Sequence, residues 1–171
     1  MRKYFYILIT LLAVLSIGFV GCKNKPTTVS DFIDEAGEKT PGETLNPDAI
    51  TINVNQGPLQ YEGKTFESTT RKKPDGTDFK YKITFRDPGY TPRATVMDFV
   101  GYDKEGKDIS ATYTIGNKIG GATADKHELI PYQFNIYESS ELIIYKSGLA
   151  KFKPRGFNSY IELAYKKTTT K

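Results

Sequence analysis

The chain has 171 residues, with one histidine (His127) and one cysteine (Cys22), so two of the side chains most used for acid–base, nucleophilic or metal chemistry each occur once. His127 stands in Ala124-Asp125-Lys126-His127-Glu128. A general base needs a partner that orients it, and a zinc site needs three or four ligands. No H-E-x-x-H or paired-histidine spacing supplies either, so His127 is expected on a surface loop. No serine occupies a G-x-S-x-G elbow. Asp103-Lys104-Glu105-Gly106-Lys107-Asp108 sets carboxylates around a glycine, but lysines fill two positions where a calcium loop needs oxygens, so a hairpin turn is expected there. Gly116, Gly120 and Gly121 lack the strand-to-helix setting of a phosphate cradle and read as loop glycines. A lone cysteine excludes a disulfide framework and a cysteine-based zinc site. No catalytic residue, metal or cofactor is expected, and the chain is read as a non-enzyme. An enzyme would need a pocket with two or more carboxylates, or His127 beside one.

Cys22 acquires a role from its position. Arg2 and Lys3 precede an apolar run from Tyr4 to Val20, and Gly21-Cys22 follows, ahead of Lys23-Asn24-Lys25-Pro26. A positive start, an apolar middle and a small residue at the end describe an export signal. Phe19-Val20-Gly21-Cys22 resembles the bacterial lipobox, whose cysteine takes diacylglycerol and becomes the new N-terminus. The resemblance implies a signal peptide over 1–21, acyl chains of the palmitate class on Cys22, and attachment to a membrane of the cell envelope. Each buried acyl CH₂ contributes about 0.8 kcal/mol, and two or more chains hold a protein stably. Lys23 rather than Asp follows the cysteine, which by resemblance to Gram-negative sorting rules favours the outer membrane.

Two regions follow. Residues 22–48 form a lipidated N-terminus and flexible tether punctuated by Pro26, Pro41 and Pro47; from Lys23 on it has three basic and six acidic residues. Such a segment buries too little apolar surface to offset its ordering entropy. Residues 49–171 form the folded body, with 19 basic and 14 acidic residues, a net charge of +5. This mild excess allows anionic lipid or acidic partners, while export argues against nucleic acid as a partner.

The body has a period of two. Phe79, Tyr81, Ile83 and Phe85 alternate with Lys80, Lys82, Thr84 and Arg86; Ile109, Ala111, Tyr113 and Ile115 alternate with Ser110, Thr112 and Thr114; Tyr132, Phe134 and Ile136 alternate with Gln133, Asn135 and Tyr137. One buried and one wet face per strand implies antiparallel pairing. Turn residues separate the strands at Lys73-Pro74-Asp75-Gly76, Asp103–Gly106, Gly116-Asn117, Glu138–Glu141 and Ser147-Gly148. About eight to ten strands are expected, near 50–55, 59–71, 78–86, 94–102, 107–115, 118–123, 128–137, 141–146, 149–153 and 158–167, in an all-β fold.

Gly63-Lys64-Thr65-Phe66, Ala111-Thr112-Tyr113-Thr114-Ile115-Gly116-Asn117-Lys118-Ile119, Ser139-Ser140-Glu141-Leu142-Ile143-Ile144 and Phe152-Lys153-Pro154-Arg155 appear in this order. They resemble the small lipocalin-like domains of bacterial lipoproteins over residues 59–156. The resemblance implies an antiparallel up-and-down β-barrel with an apolar lumen; an open β-sandwich is the alternative. If a lumen exists, Phe66, Phe79, Tyr81, Phe85, Tyr113 and Phe134 line it. Two roles then stand side by side: carriage of a small apolar ligand, or a filled core that acts through an envelope protein as assembly factor or surface antigen. Arg71-Lys72-Lys73, Lys151-Lys153-Arg155 and Lys166-Lys167 read as solvated strand ends that deter edge pairing.

Overall fold

A computed structural model describes residues 41–89, 94–133 and 140–167. Cys22 and Phe134 lie outside the described residues, as does most of the expected tether. Ten strands follow a 3-10 helix at Gly57–Tyr61: β1 (Thr65–Glu67), β2 (Arg71–Lys72), β3 (Asp78–Phe79), β4 (Lys82–Arg86), β5 (Val96–Val100), β6 (Ala111–Ala122), β7 (Lys126–Tyr132), β8 (Glu141–Tyr145), β9 (Leu149–Lys153) and β10 (Ile161–Tyr165). Eight of them close into an antiparallel barrel in the order β1-β10-β9-β8-β7-β6-β5-β4, with β4 back beside β1. The fold is therefore the closed up-and-down barrel, and the open sandwich is set aside. Closure leaves no sheet edge within the ring.

The period of two produces this directly. Inward positions are buried and outward ones exposed or half-exposed in β4 (Ile83 and Phe85 against Lys82, Thr84 and Arg86) and β8 (Leu142 and Ile144 against Glu141, Ile143 and Tyr145). β2 and β3 form a short ribbon that continues β1 and β4 beyond the ring around the turn at Lys73–Gly76. The pairs Glu67↔Lys82 and Arg71↔Phe79 are offset by one residue, a bulge between barrel and ribbon.

Four expectations about the strands fail, the simplest being 78–86, which is divided into β3 and β4 at Lys80-Tyr81, where the ribbon leaves the ring. The segment 59–71 is not one strand: Gly57-Pro58 opens a 3-10 helix, with proline at a first-turn position where its missing N–H is harmless, and the strand begins at Thr65. Residues 50–55 do not form a strand; Gln56 N–H bonds Asn53 O in a turn. Gly116-Asn117 makes no hairpin. β6 runs through it to Ala122, because β7 pairs with it on both sides, at Gly116↔Ile130 and at Ala122↔His127. Between Asn117↔Leu129 and Ala122↔His127, the four residues Lys118–Gly121 face the single residue Glu128. The surplus loops outward, with Gly120 at φ 70°, a left-handed conformation that glycine adopts without a steric penalty. Ile119 at its crest is fully exposed.

The last residues of the expected tether are bonded to the barrel. The Glu43 carboxylate accepts the Thr70 N–H at 2.8 Å, Asp48 N–H donates to Tyr165 O at 3.0 Å, and Ile50 N–H to Lys146 O at 3.0 Å. This strap carries the chain up to the 3-10 helix.

Candidate functional site

The interior comes first, because the lumen residues were expected there. Phe66, Tyr81 and Phe85 are wholly buried, and Tyr113 and Phe79 nearly so. They meet other side chains rather than open space. Phe99 of β5 and Phe152 of β9 come from strands half a turn apart in the ring, yet their centroids lie 5.1 Å apart at 64°. Tyr113 meets the same Phe152 at 5.6 Å, and Tyr81 stacks on Phe99 at 6.0 Å. Phe66 meets Phe85 at 6.0 Å. Phe79 sits on the β2–β3 ribbon, its ring 5.2 Å from both Tyr81 and Tyr102, and packs at the end of the barrel opposite the 3-10 helix. Aromatic pairs at these distances and tilts are attractive beyond the area they bury.

The other end is closed by Tyr61, the last residue of the 3-10 helix. Its ring is fully buried and lies 5.5 Å from Phe85 on β4 and 5.7 Å from His127 on β7, so it reaches both walls. Its hydroxyl lies 3.0 Å from His127 Nδ1, and Asn117 Oδ1 lies 3.2 Å from Nε2. With the Asn117 oxygen as acceptor, the proton sits on Nε2, and Nδ1 accepts the Tyr61 O–H. Gln60 supports this cap: its amide donates to Asn53 O at 3.0 Å and Gly57 O at 2.8 Å, while its oxygen accepts the Asn53 N–H at 2.8 Å. Burial pushes the His127 pKa below its usual 6.5 and the Tyr61 hydroxyl well above the usual phenol range.

His127 is thus not on a surface loop. It is 2% exposed, on the inward face of β7 with Leu129 and Pro131. The alternation of His127, Leu129 and Pro131 carried the signal; the strand begins two residues earlier than its apolar run suggests, because Lys126 and Glu128 occupy the outward positions. No carboxylate bonds the imidazole; its partners are a phenol and two amides.

A groove of about 330 Å³ on the outer face of β7 and β8 does hold two carboxylates, Glu128 and Glu141, with Lys118, Ser140 and Tyr160 beside them. Glu128 lies 2.6 Å from both Lys118 Nζ and Lys126 Nζ, and these bonds hold its pKa at about 2. Such a carboxylate has no proton to give as a general acid. Glu141 accepts the Tyr160 hydroxyl, which raises that phenol to about 12. The pair is a set of closed salt bridges and hydrogen bonds with no activated nucleophile beside it.

The remaining sequence candidates find structural roles. Asp103 Oδ1 accepts the N–H groups of Glu105 and Lys107, both at 2.9 Å, so its carboxylate shapes the hairpin turn. Lys72 pairs with Asp78 at 2.8 Å, Lys73 Nζ lies 3.4 Å from the Tyr102 ring centroid, and Lys151 pairs with Glu162 at 3.4 Å. Arg71 is the exception to the solvated reading: it is 3% exposed, with its guanidinium 5.8 Å from the Tyr81 ring. Among the described residues, no group of three or more His, Cys, Asp or Glu could hold a metal ion.

Fold and site together define an eight-stranded closed antiparallel barrel with rings packed across its interior and a phenol–imidazole cap at one end. No family model matches the chain, and neither a curated protein nor a solved structure matches it.

Proposed function

We propose that the chain is a non-enzymatic envelope lipoprotein, held to a membrane by acyl chains on Cys22, whose barrel acts through its outer surface rather than by carrying a ligand inside. The anchoring half of this reading is supported by the signal-like N-terminus and the cysteine that ends its apolar run. The observation that supports the filled-barrel half is the Phe99–Phe152 contact, which joins opposite walls at 5.1 Å and takes up the middle of the lumen. Protein interiors packed this way leave few voids larger than a water molecule. The Glu128 carboxylate, tied up by two lysines, and the carboxylate-free surroundings of His127 support a non-catalytic reading.

The test combines two mass measurements on protein purified from a bacterial envelope. A peptide map is expected to place a diacylglyceryl mass on Cys22, and an unmodified thiol there overturns the anchoring. A native spectrum of the same material is expected to show no added mass beyond the acyl chains. A stoichiometric apolar adduct that survives delipidation overturns the filled barrel and restores ligand carriage.

A further inference from the structure

The capped end of the barrel carries a second set of features that the anchoring reading leaves unused. Among the described residues, the large apolar side chains with substantial exposure are Val54, Leu59, Val100, Ile119 and Tyr132, four of them a little under half exposed and Ile119 fully so. Three of them crown one end. Val54 stands on the loop that leads into the 3-10 helix, Leu59 on that helix two residues before the Tyr61 plug, and Ile119 on the β6 bulge beside it. Two grooves of about 390 Å³ each share Asn55, Gly57 and Asn117 as a common wall; one runs beneath Val54 and Ile119, the other beneath Leu59 and Tyr132. The bulge gives Ile119 its reach: four residues opposite one push the side chain clear of the sheet, to 102% of its reference exposure.

On the opposite flank of the same loop lies a groove of about 410 Å³ with a different character. Lys64 and Lys167 line it together with the amides of Asn53, Gln56 and Gln60, and no carboxylate does. Lys64 Nζ donates one hydrogen bond to Gln60 O at 2.7 Å and keeps two protons for another acceptor. Asp48 stands at the edge, where its carboxylate accepts the Lys167 backbone N–H.

We propose that this end is a bilayer-contact surface: Val54, Leu59 and Ile119 enter the headgroup–acyl boundary of a membrane containing anionic phospholipid, and Lys64 and Lys167 receive headgroup phosphate. Apolar tips beside two lysines, with Asp48 engaged by a backbone N–H at the groove's edge rather than paired with either ammonium, match a surface that is apolar below and anionic above. The choice of lipid over a protein partner rests on the anchoring reading. Glu43 is pinned beside Thr70, towards the ribbon end, but the stretch of chain from Cys22 to Glu43 can reach at most about 70 Å, enough to bring the capped end to the membrane and to keep that membrane at high effective concentration. A weak surface contact suffices under those conditions. The outward bulge and the exposed crown, both irrelevant to a sealed core, acquire a use.

The test uses the complete acylated protein on vesicles of phosphatidylethanolamine and phosphatidylglycerol. A polarity-sensitive fluorophore is attached at Ile119→Cys and, in a second sample, at Lys72→Cys on the opposite end, with acylation of Cys22 checked by mass. The proposal expects a blue shift at position 119 on vesicles and none at position 72. The fraction inserted falls about fivefold for Lys167→Gln, and by at least tenfold for the Val54→Ser, Leu59→Ser double variant. An acylated protein whose position 119 stays in water overturns the proposal and leaves the anchoring intact. A shift already present without vesicles also overturns it, since it reports self-association. If mass analysis finds Cys22 unmodified, the anchoring fails instead, and co-sedimentation of that chain with the same vesicles decides the proposal. Sedimentation lost on Ile119→Asp then supports it, and absence of sedimentation overturns it.

Discussion

Midway along the barrel, Phe99, Phe152 and Tyr113 pack ring against ring, whereas at the capped end Tyr61 is positioned by hydrogen bonds through His127, Asn117 and Gln60. Tyr61 and His127 are as buried as the rings, yet the two regions are held by different physics. Ring packing is driven chiefly by the area buried, with a smaller contribution from ring geometry, and is blind to pH. The cap is directional, and each of its polar groups is costly if left unmatched away from water. Burial alone therefore does not say how a region fails. The ring layer fails by losing volume, and the cap fails by losing a single proton donor or gaining a proton.

The contrast can be broken from either side. Phe152→Ala removes a ring that touches both Phe99 and Tyr113 and is expected to lower stability the most, by about 3–5 kcal/mol. Denaturant unfolding should find that loss equal at pH 5.5 and pH 8; a loss that varied with pH would tie the ring layer to the cap. Tyr61→Phe keeps the ring and deletes only the hydroxyl, leaving His127 Nδ1 without its close donor, for a loss of about 1–3 kcal/mol. Amide hydrogen exchange in Gly57–Tyr61 should accelerate in that variant while Phe152 keeps its protection, and uniform acceleration would count against a separate cap.

The pH response follows from the sign of the His127 shift. Its folded pKa lies below the 6.5 of an exposed imidazole, so the unfolded chain takes up the proton first. The contribution is complete above pH 6.5 and fades as pH falls from there toward the folded pKa. A stability curve with no decline in that window, or one unchanged by His127→Gln, would mean that the imidazole is not held neutral. The smallest effect is expected at Arg86, whose guanidinium reaches Asp98 at 2.5 and 3.2 Å on the outer face. The pair holds the Asp98 carboxyl below its usual range, but both side chains are at least one-third exposed. Arg86→Ala should lower stability by no more than about 1 kcal/mol, and that loss should shrink in high salt.

Ile83 and Phe85, and Tyr113 and Ile115, were legible because a half-buried strand writes its environment into alternate residues, whereas Leu142-Ile143-Ile144 is apolar throughout and does not show which side faces in. Closure of the ring was not legible in the same way, since it depends on Phe66 meeting Tyr165 from the far end of the chain. The cap escaped for a more local reason. Leu59 and Tyr61 alternate as strand residues do, and only Gly57-Pro58 marks a helical start. Gly116-Asn117 misled in the other direction: it has the composition of a tight turn, but ladder bonds from β7 on both sides outweigh that preference. The Lys118–Gly121 bulge is a property of two strands counted together, so β6 alone does not announce it.

Closure of the ring also constrains how the molecule is made. The first barrel strand finds one of its two partners in β10, about a hundred residues later in the chain. Until Ile161–Tyr165 emerges, β1 and β9 each lack a neighbour and the ring cannot close. The ring therefore matures only after β10 has been made, as expected for topologies dominated by distant contacts. A nascent chain stalled at Tyr160 should remain sensitive to protease, and one released at Lys171 should resist it.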